Sequence, residues 1–183
     1  MMPQHPDEPD FLETKSPAIR ALVNVERVLA SGLLVAIFGL VLMQVTSRYV
    51  FSSPLTWTEE LARFSLVWLT FISAGFVMAR RMHVTVDLLA AKLNKRGAVM
   101  MDSFAMLVVL VVSAAMSVAG TQFALSVGKL NAPATQLPMS VVYTAAVLGF
   151  ALIFLHGALN TYVNIKHPDQ TPGAMENLEK EAF

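Results

Sequence analysis

Four long apolar stretches, separated by short polar connections, dominate the chain. Val28–Ser47, Phe64–Ala79, Ser103–Gly128 and Leu130–Ile165 contain no Asp, Glu, Lys or Arg. A helix needs about 20 mostly apolar residues to cross the roughly 30 Å hydrocarbon core of a bilayer. The pattern therefore predicts an all-α integral membrane protein with four transmembrane helices, spanning about residues 24–48, 57–81, 101–128 and 138–165.

Local signals decide where the second and fourth helices begin. Ser52–Leu55 reads Ser-Ser-Pro-Leu, which predicts a tight turn. The next four residues, Thr56 to Glu59, match a capping box, in which Thr56 caps the helix and Glu59 reaches back to it. The second helix should therefore start in the membrane interface at Trp57, and Pro138 should mark the start of the fourth.

The distribution of basic residues predicts the orientation of the chain. Ten of the 13 Lys and Arg residues lie in the N-terminal segment, the connection between the second and third spans, and the C-terminal tail. Only Arg48, Arg63 and Lys129 lie on the other side. By the positive-inside rule, both termini should be cytoplasmic. A Pro-rich, acidic and disordered tail (1–19) and a second tail (168–183) should flank one four-helix membrane domain (20–167).

The connection between the second and third spans has an apolar periodicity of its own. Within His83–Asn94, Val86, Leu89 and Leu93 are spaced at steps of three and four. This spacing favours a short amphipathic helix lying in the membrane interface, and an irregular loop is the alternative.

Composition argues against most other functional classes. A soluble core is disfavoured because stretches such as Met106–Val112 are apolar on every face. The net charge is zero, so nucleic acid is not an expected partner, and the absence of Cys removes thiolate chemistry. His156 is the one ionisable residue inside the apolar spans, and it suits helix packing better than ligation. We therefore expect no catalytic, cofactor-binding or metal-binding residue, and no enzyme activity.

Small residues recur at helix-packing intervals in three of the spans. Such residues let helix backbones approach closely in lipid. They comprise Gly32 with Ala36 in the first span, Ala145 with Gly149 in the fourth, and a stripe in the third made of Ser113, Ser117, Thr121, Ala124 and Gly128.

Several of these strings resemble a known family. They are Arg48-Tyr-Val-Phe51, the Pro54–Arg63 segment containing Trp-Thr-Glu-Glu-Leu-Ala-Arg, the His83-Val-Thr-Val-Asp87 string, and Leu137-Pro-Met139. Together they resemble the small, DctQ-like membrane subunit of tripartite ATP-independent periplasmic (TRAP) transporters. The resemblance runs from about Arg20 to Ile165.

This resemblance implies a transport role without a substrate site. It implies a small scaffold subunit in a bacterial or archaeal cytoplasmic membrane, supporting a large elevator-type subunit of about twelve spans. That subunit would import an organic acid (a C4-dicarboxylate, sugar acid or related carboxylate) with a sodium gradient. A periplasmic substrate-binding protein and membrane lipid are the other expected partners.

The residues expected at a subunit interface are mostly polar residues near the outer boundary. An ion pair between Arg48 and Glu60, or from either one to the large subunit, would fix the first two helices. Simple helix capping, or contact with the soluble binding protein, are the alternatives for this cluster. The complete expected set is Arg48, Trp57, Glu59, Glu60, Arg63, Asp87, Ser113 and Ser117.

Two other functions remain open from the sequence. A membrane anchor for a redox complex would need two facing histidines for a haem, and only His156 lies within a span. A stand-alone small exporter is less favoured, because no predicted span carries a buried carboxylate.

Overall fold

The computed structural model describes residues 17–79 and 95–166, and these residues form four long helices. Each helix is long and apolar enough to cross a bilayer, which confirms the predicted all-α membrane fold. The interfacial helix predicted within His83–Asn94 lies outside the described residues. The helices are α1 (Pro17–Tyr49), α2 (Thr56–Ala79), α3 (Lys95–Ser126) and α4 (Met139–Lys166).

Helix α1 begins earlier than the sequence indicated. Its first residue is Pro17, so residues 17–19 are helical although they belong to the segment expected to be disordered. Proline is well suited to the first turn of a helix, because its missing amide hydrogen would have no partner there.

The four helices pack in the order α1, α2, α4, α3. Helix α1 packs chiefly on α2, α2 on α4, and α4 on α3, so α2 and α4 form the centre. Two short connections, 50–55 and 127–138, lie together at one end of the domain, which we call the hairpin end. The opposite end, where α1 begins and α4 ends, is the terminal end.

Glycines allow the two central helices to approach closely. A Cβ atom added at Gly149 would lie 2.6 Å from Cβ of Phe71 and 3.0 Å from its carbonyl oxygen. At Gly75, an added Cβ would lie 3.0 Å from Cβ of Leu152. These side chains and backbones therefore fill the space between α2 and α4.

Helix α1 presents one narrow face to the rest of the chain. Its less exposed positions recur at steps of three and four, while the remainder of the helix is largely exposed and apolar. This spacing is typical of helices that pack side by side at a shallow angle. We call this face the α1 seam; it comprises Val23, Glu26, Ala30, Leu33, Ile37, Leu40, Gln44 and Ser47.

The small-residue pairs differ in what they contact. Ala145 and Gly149 are buried where α4 meets its neighbours. Gly32 is different, because it has nothing within 4 Å of an added Cβ and faces away from the chain. Spacing alone does not reveal which way a helix turns its small residues.

Candidate interface at the hairpin end

Glu60 organises the hairpin end by joining α2 to the connection between α3 and α4. Its Oε2 atom accepts hydrogen bonds from the backbone N–H groups of Ala134, at 3.2 Å, and Thr135, at 2.6 Å. The Thr135 hydroxyl donates a third bond to the same oxygen at 2.7 Å. Glu60 is 5% exposed, so these bonds give a buried charged group the donors that it requires.

The connection that Glu60 holds is itself a compact loop. Met139 N–H donates to the Leu130 carbonyl at 2.8 Å, and Ala132 N–H donates to the Leu137 carbonyl at 2.9 Å. Gln136 adopts a left-handed conformation, with φ of 57°, and its side chain donates to the Pro133 carbonyl. Hydrogen bonds within the loop therefore hold it closed, and Glu60 additionally attaches it to α2.

Glu59, next in sequence to Glu60, points in a different direction and bonds to different partners. Its carboxylate lies 3.7 Å from the Arg63 guanidinium, as expected from their i, i+4 spacing, and accepts a 3.1 Å bond from Gln44 in α1. Both members of the Glu59–Arg63 pair are more than half exposed. An exposed pair of this kind contributes little to stability and remains accessible to a partner.

The turn between α1 and α2 is held by serine and threonine hydroxyl groups. Ser47 donates its hydroxyl to the Ser53 carbonyl, and Ser53 N–H donates back to the Ser47 carbonyl at 3.1 Å. Thr58 donates its hydroxyl to the Leu55 carbonyl at 2.7 Å. The predicted capping box is absent from this described segment, because Glu59 bonds to Gln44 and does not reach back to Thr56.

The structure also differs from the ion pair predicted for Arg48. Within the described residues, no ion pair joins Arg48 to Glu60, whose carboxylate is occupied by Ala134 and Thr135. Arg48 is exposed, and Trp57 is 39% exposed close to the same turn. Adjacency in sequence suggested the Arg48 pair, but the loop 127–138 lies closer to Glu60.

The remaining expected interface residues lie elsewhere. Ser113 is 2% exposed and donates to the Leu110 carbonyl, and the Ser117 hydroxyl oxygen is also buried. Both residues therefore lie on the packed side of α3. Asp87 is outside the described residues.

A second polar cluster lies at the terminal end, and sequence analysis identified only one of its two residues. The Nε2 atom of His156 lies 3.0 Å from Oε1 of Glu26, and both side chains are almost fully buried. Sequence reasoning favoured a packing role for His156 but did not single out Glu26. The expectation that no predicted span carries a buried carboxylate was therefore wrong, because Glu26 lies in α1 and is 2% exposed. Counting helical depth from the same end of α1 and α4 would have placed the two residues at a similar level.

One charged residue at the terminal end lies beyond the apolar span of α4. Lys166 donates a 2.8 Å hydrogen bond to the Tyr162 hydroxyl, and this bond raises the pKa of Lys166. The ammonium nitrogen is also 5.2 Å from the Tyr162 ring centroid. The pair is typical of a cationic and an aromatic residue at a membrane interface.

Comparison with known proteins matches most of this chain to one family of transporter components. The family model described as "Tripartite ATP-independent periplasmic transporters, DctQ component" matches residues 37–167. A putative TRAP transporter small permease protein from Haemophilus influenzae is 29% identical over 128 residues, which cover 69% of this chain and 78% of that protein. The small permease protein SiaQ of the Vibrio cholerae sialic acid TRAP transporter is 26% identical over 101 residues, covering 55% of this chain and 58% of SiaQ.

A longer relative matches over a shorter segment. The sialic acid TRAP transporter permease protein SiaT of Haemophilus influenzae is 33% identical over 88 residues, which are 48% of this chain and 14% of SiaT. The chain thus spans only a small part of SiaT and little more than half of SiaQ. Since the family model covers more than half of its residues, this chain belongs to the DctQ component family of the TRAP transporters.

Proposed function

We propose that this chain is the small, non-catalytic scaffold subunit of a sodium-gradient-driven TRAP importer of organic acids, located in the cytoplasmic membrane. The observation that carries the proposal is the family match over residues 37–167. The chain would support a large elevator-type membrane subunit, which receives its substrate from a periplasmic binding protein.

The packing of the central helices supports a scaffold rather than a pathway. The contact between Gly149 and Phe71 brings α2 against the backbone of α4, and Phe71 also packs edge-on against Phe150 at 5.5 Å. A substrate path needs a polar, water-accessible space between helices. Helices in such close contact are suited to a static frame.

The flanking helices supply the surface for a partner. The most apolar segment of α1 has none of its residues buried, and only 6% of the corresponding segment of α3 is buried. In an isolated chain these surfaces would face lipid. In the proposed complex, part of them is covered by the large subunit, and lipid covers the rest.

We infer that the hairpin end contributes polar contacts to this interface. Arg48, Trp57, Glu59 and Arg63 are exposed at the hairpin end. In the proposed orientation this end lies at the outer boundary of the membrane, where polar contacts can be made at low desolvation cost. Glu60 acts beneath them by holding the connecting loop 127–138 in place. Asp87, in the connection between α2 and α3, is a further proposed interface residue.

The proposed substrate class is a carboxylate. Two of the relatives are named for sialic acid, which is a sugar acid and falls within this class. The choice among sugar acids, C4-dicarboxylates and related compounds would be made by the partner proteins.

The first test of this role is an uptake assay. Proteoliposomes containing only this chain should accumulate no organic acid when a sodium gradient is imposed, because the chain would hold no substrate site. Addition of the large subunit and the binding protein should produce sodium-dependent uptake. Reproducible uptake by this chain alone would contradict the scaffold role.

Membrane topology provides a second test, because the chain has no Cys and single cysteines can be introduced cleanly. The split of ten basic residues against three predicts that residue 94 is cytoplasmic, whereas Ser53 and Asn131 are periplasmic. A membrane-impermeant maleimide should therefore label cysteines at positions 53 and 131 in intact spheroplasts. Labelling of a cysteine at position 94 would contradict the proposed orientation.

A further inference from the structure

The buried pair at the terminal end joins two helices that otherwise have little contact. Glu26 belongs to the α1 seam, and its partner His156 lies in α4, 130 positions away in sequence. One turn further along α4, the Asn160 side chain donates a 2.9 Å hydrogen bond to the Met78 carbonyl at the end of α2. Polar bonds thus link α4 to both α1 and α2 at this end.

The cost of burying this pair suggests that stability is not its main contribution. A carboxylate and an imidazole removed from water lose solvation that their mutual contact rarely restores in full. The second carboxylate oxygen of Glu26 is buried without a hydrogen-bond partner in the described structure. Apolar side chains of similar size would be expected to pack there at no greater cost.

The other contacts of α1 fix its position at the hairpin end but only weakly determine its orientation further along the helix. At the hairpin end, α1 is fixed by bonds from Gln44 to Glu59 and between Ser47 and Ser53. Between Glu26 and Gln44, the seam consists of half-buried apolar residues. Apolar contacts do not strongly favour one helix orientation over another in a bilayer, because lipid tails are equally apolar.

The length of α1 amplifies any change in its angle. Glu26 and Ser47 are 21 residues apart, which corresponds to about 31 Å along a helix. A pivot of about 10° at the hairpin end would displace the terminal end by roughly 5 Å, following from that length. A contact at Glu26 is therefore well placed to restrict such a pivot.

We propose that the Glu26–His156 pair pins the terminal end of α1 against α4 and thereby sets the crossing angle of α1. The two residues act as positioning residues for the exposed apolar face of α1. Where that face contacts the large subunit, which rests on the proposed function, the pair also sets the geometry of the contact.

The test measures helix positions directly in the full-length chain. Spin labels attached to cysteines at Val25 and Leu155, both exposed, report the distance between α1 and α4 at the terminal end. A second pair at Val45 and Val141, also exposed, reports the hairpin end. In the unsubstituted background, both pairs should give a single narrow distance distribution.

The discriminating variant replaces both members of the pair with apolar residues. Glu26→Leu combined with His156→Leu should retain the helical content and the thermal stability of the parent chain, because no buried charge is left unpaired. The distribution for the Val25–Leu155 pair should nevertheless broaden and move to longer distances. The Val45–Val141 distribution should stay unchanged, since the hairpin-end bonds are intact.

Two further variants guard against a general effect of substitution. Asn24→Leu alters an exposed residue at the same end of α1 and should leave both distributions narrow. The exchange of Glu26→His with His156→Glu should restore a narrow terminal-end distribution by rebuilding the contact. A double leucine variant with the parental distance distribution would overturn the proposal.

Assembly is then measured separately. The double leucine variant should copurify with the large subunit at a reduced level, whereas Asn24→Leu should not. The distance measurement requires only this chain, so an unchanged distance distribution in the double leucine variant would count against the pinning role. Altered distances with unchanged copurification would instead count against the proposed use of α1 as an interface.

Discussion

Replacing Gly149 with leucine is expected to separate α2 from α4 and to cause the largest loss of stability of any single substitution considered. Even the first added carbon would lie 2.6 Å from Cβ of Phe71 and 3.0 Å from the Phe71 carbonyl oxygen. Backbone atoms cannot rotate away as a side chain can, so the helices must move apart. Overpacking of this kind costs typically about 1–3 kcal/mol, and more where a whole side chain must be accommodated.

The matched control is the same substitution at Gly39. No atom lies within 4 Å of an added Cβ at that position in α1. Gly39→Leu should leave stability unchanged, or raise it by up to about 1 kcal/mol through better helix propensity. The measurement is thermal unfolding of the purified chain in detergent, followed by the near-ultraviolet signal of its two tryptophans. Equal melting temperatures for the two variants would show that the central helices do not depend on this close approach.

The helices themselves were predictable because the bilayer constrains them so strongly. A polypeptide that crosses lipid must pair its backbone N–H and C=O groups with one another, because the lipid offers them no partners. An apolar run of sufficient length can therefore adopt few structures. The structure confirms four such helices, and the start of α2 differs by one residue from the predicted Trp57. The Glu59–Arg63 pair was equally predictable, since it follows from helical spacing alone.

The polar contacts between helices were not predictable in the same way. Glu60 binds residues 74 and 75 positions away, and nothing in the local pattern identifies them. Local reasoning therefore favoured Arg48, which is near in sequence but pairs with no carboxylate among the residues described. Glu26 was missed for a related reason, because a carboxylate near the end of an apolar run can belong either to the tail or to the packed interior.

Glu60 offers the clearest test of how the hairpin end is held together. Glu60→Ala should release the loop 127–138, because the N–H groups of Ala134 and Thr135 lose their shared acceptor, as does the Thr135 hydroxyl. Hydrogen exchange followed by mass spectrometry should show peptides covering residues 130–138 exchanging at least roughly tenfold faster, since local opening sets the exchange rate. Peptides from the middle of α1 should be unaffected.

The neighbouring glutamate and the threonine provide graded controls for this effect. Glu59→Ala removes a carboxylate of the same type one position away, but its partners are Gln44 and Arg63, so exchange in residues 130–138 should not change. Thr135→Val removes one of the three donors to Glu60 and leaves both backbone bonds, so its effect should be intermediate. If Glu60→Ala and Glu59→Ala gave the same exchange rates in the loop, the carboxylate of Glu60 would not be what holds it. The ordering predicted here arises because the two glutamates, although adjacent in sequence, point to different sides of α2 and fasten it to different parts of the chain.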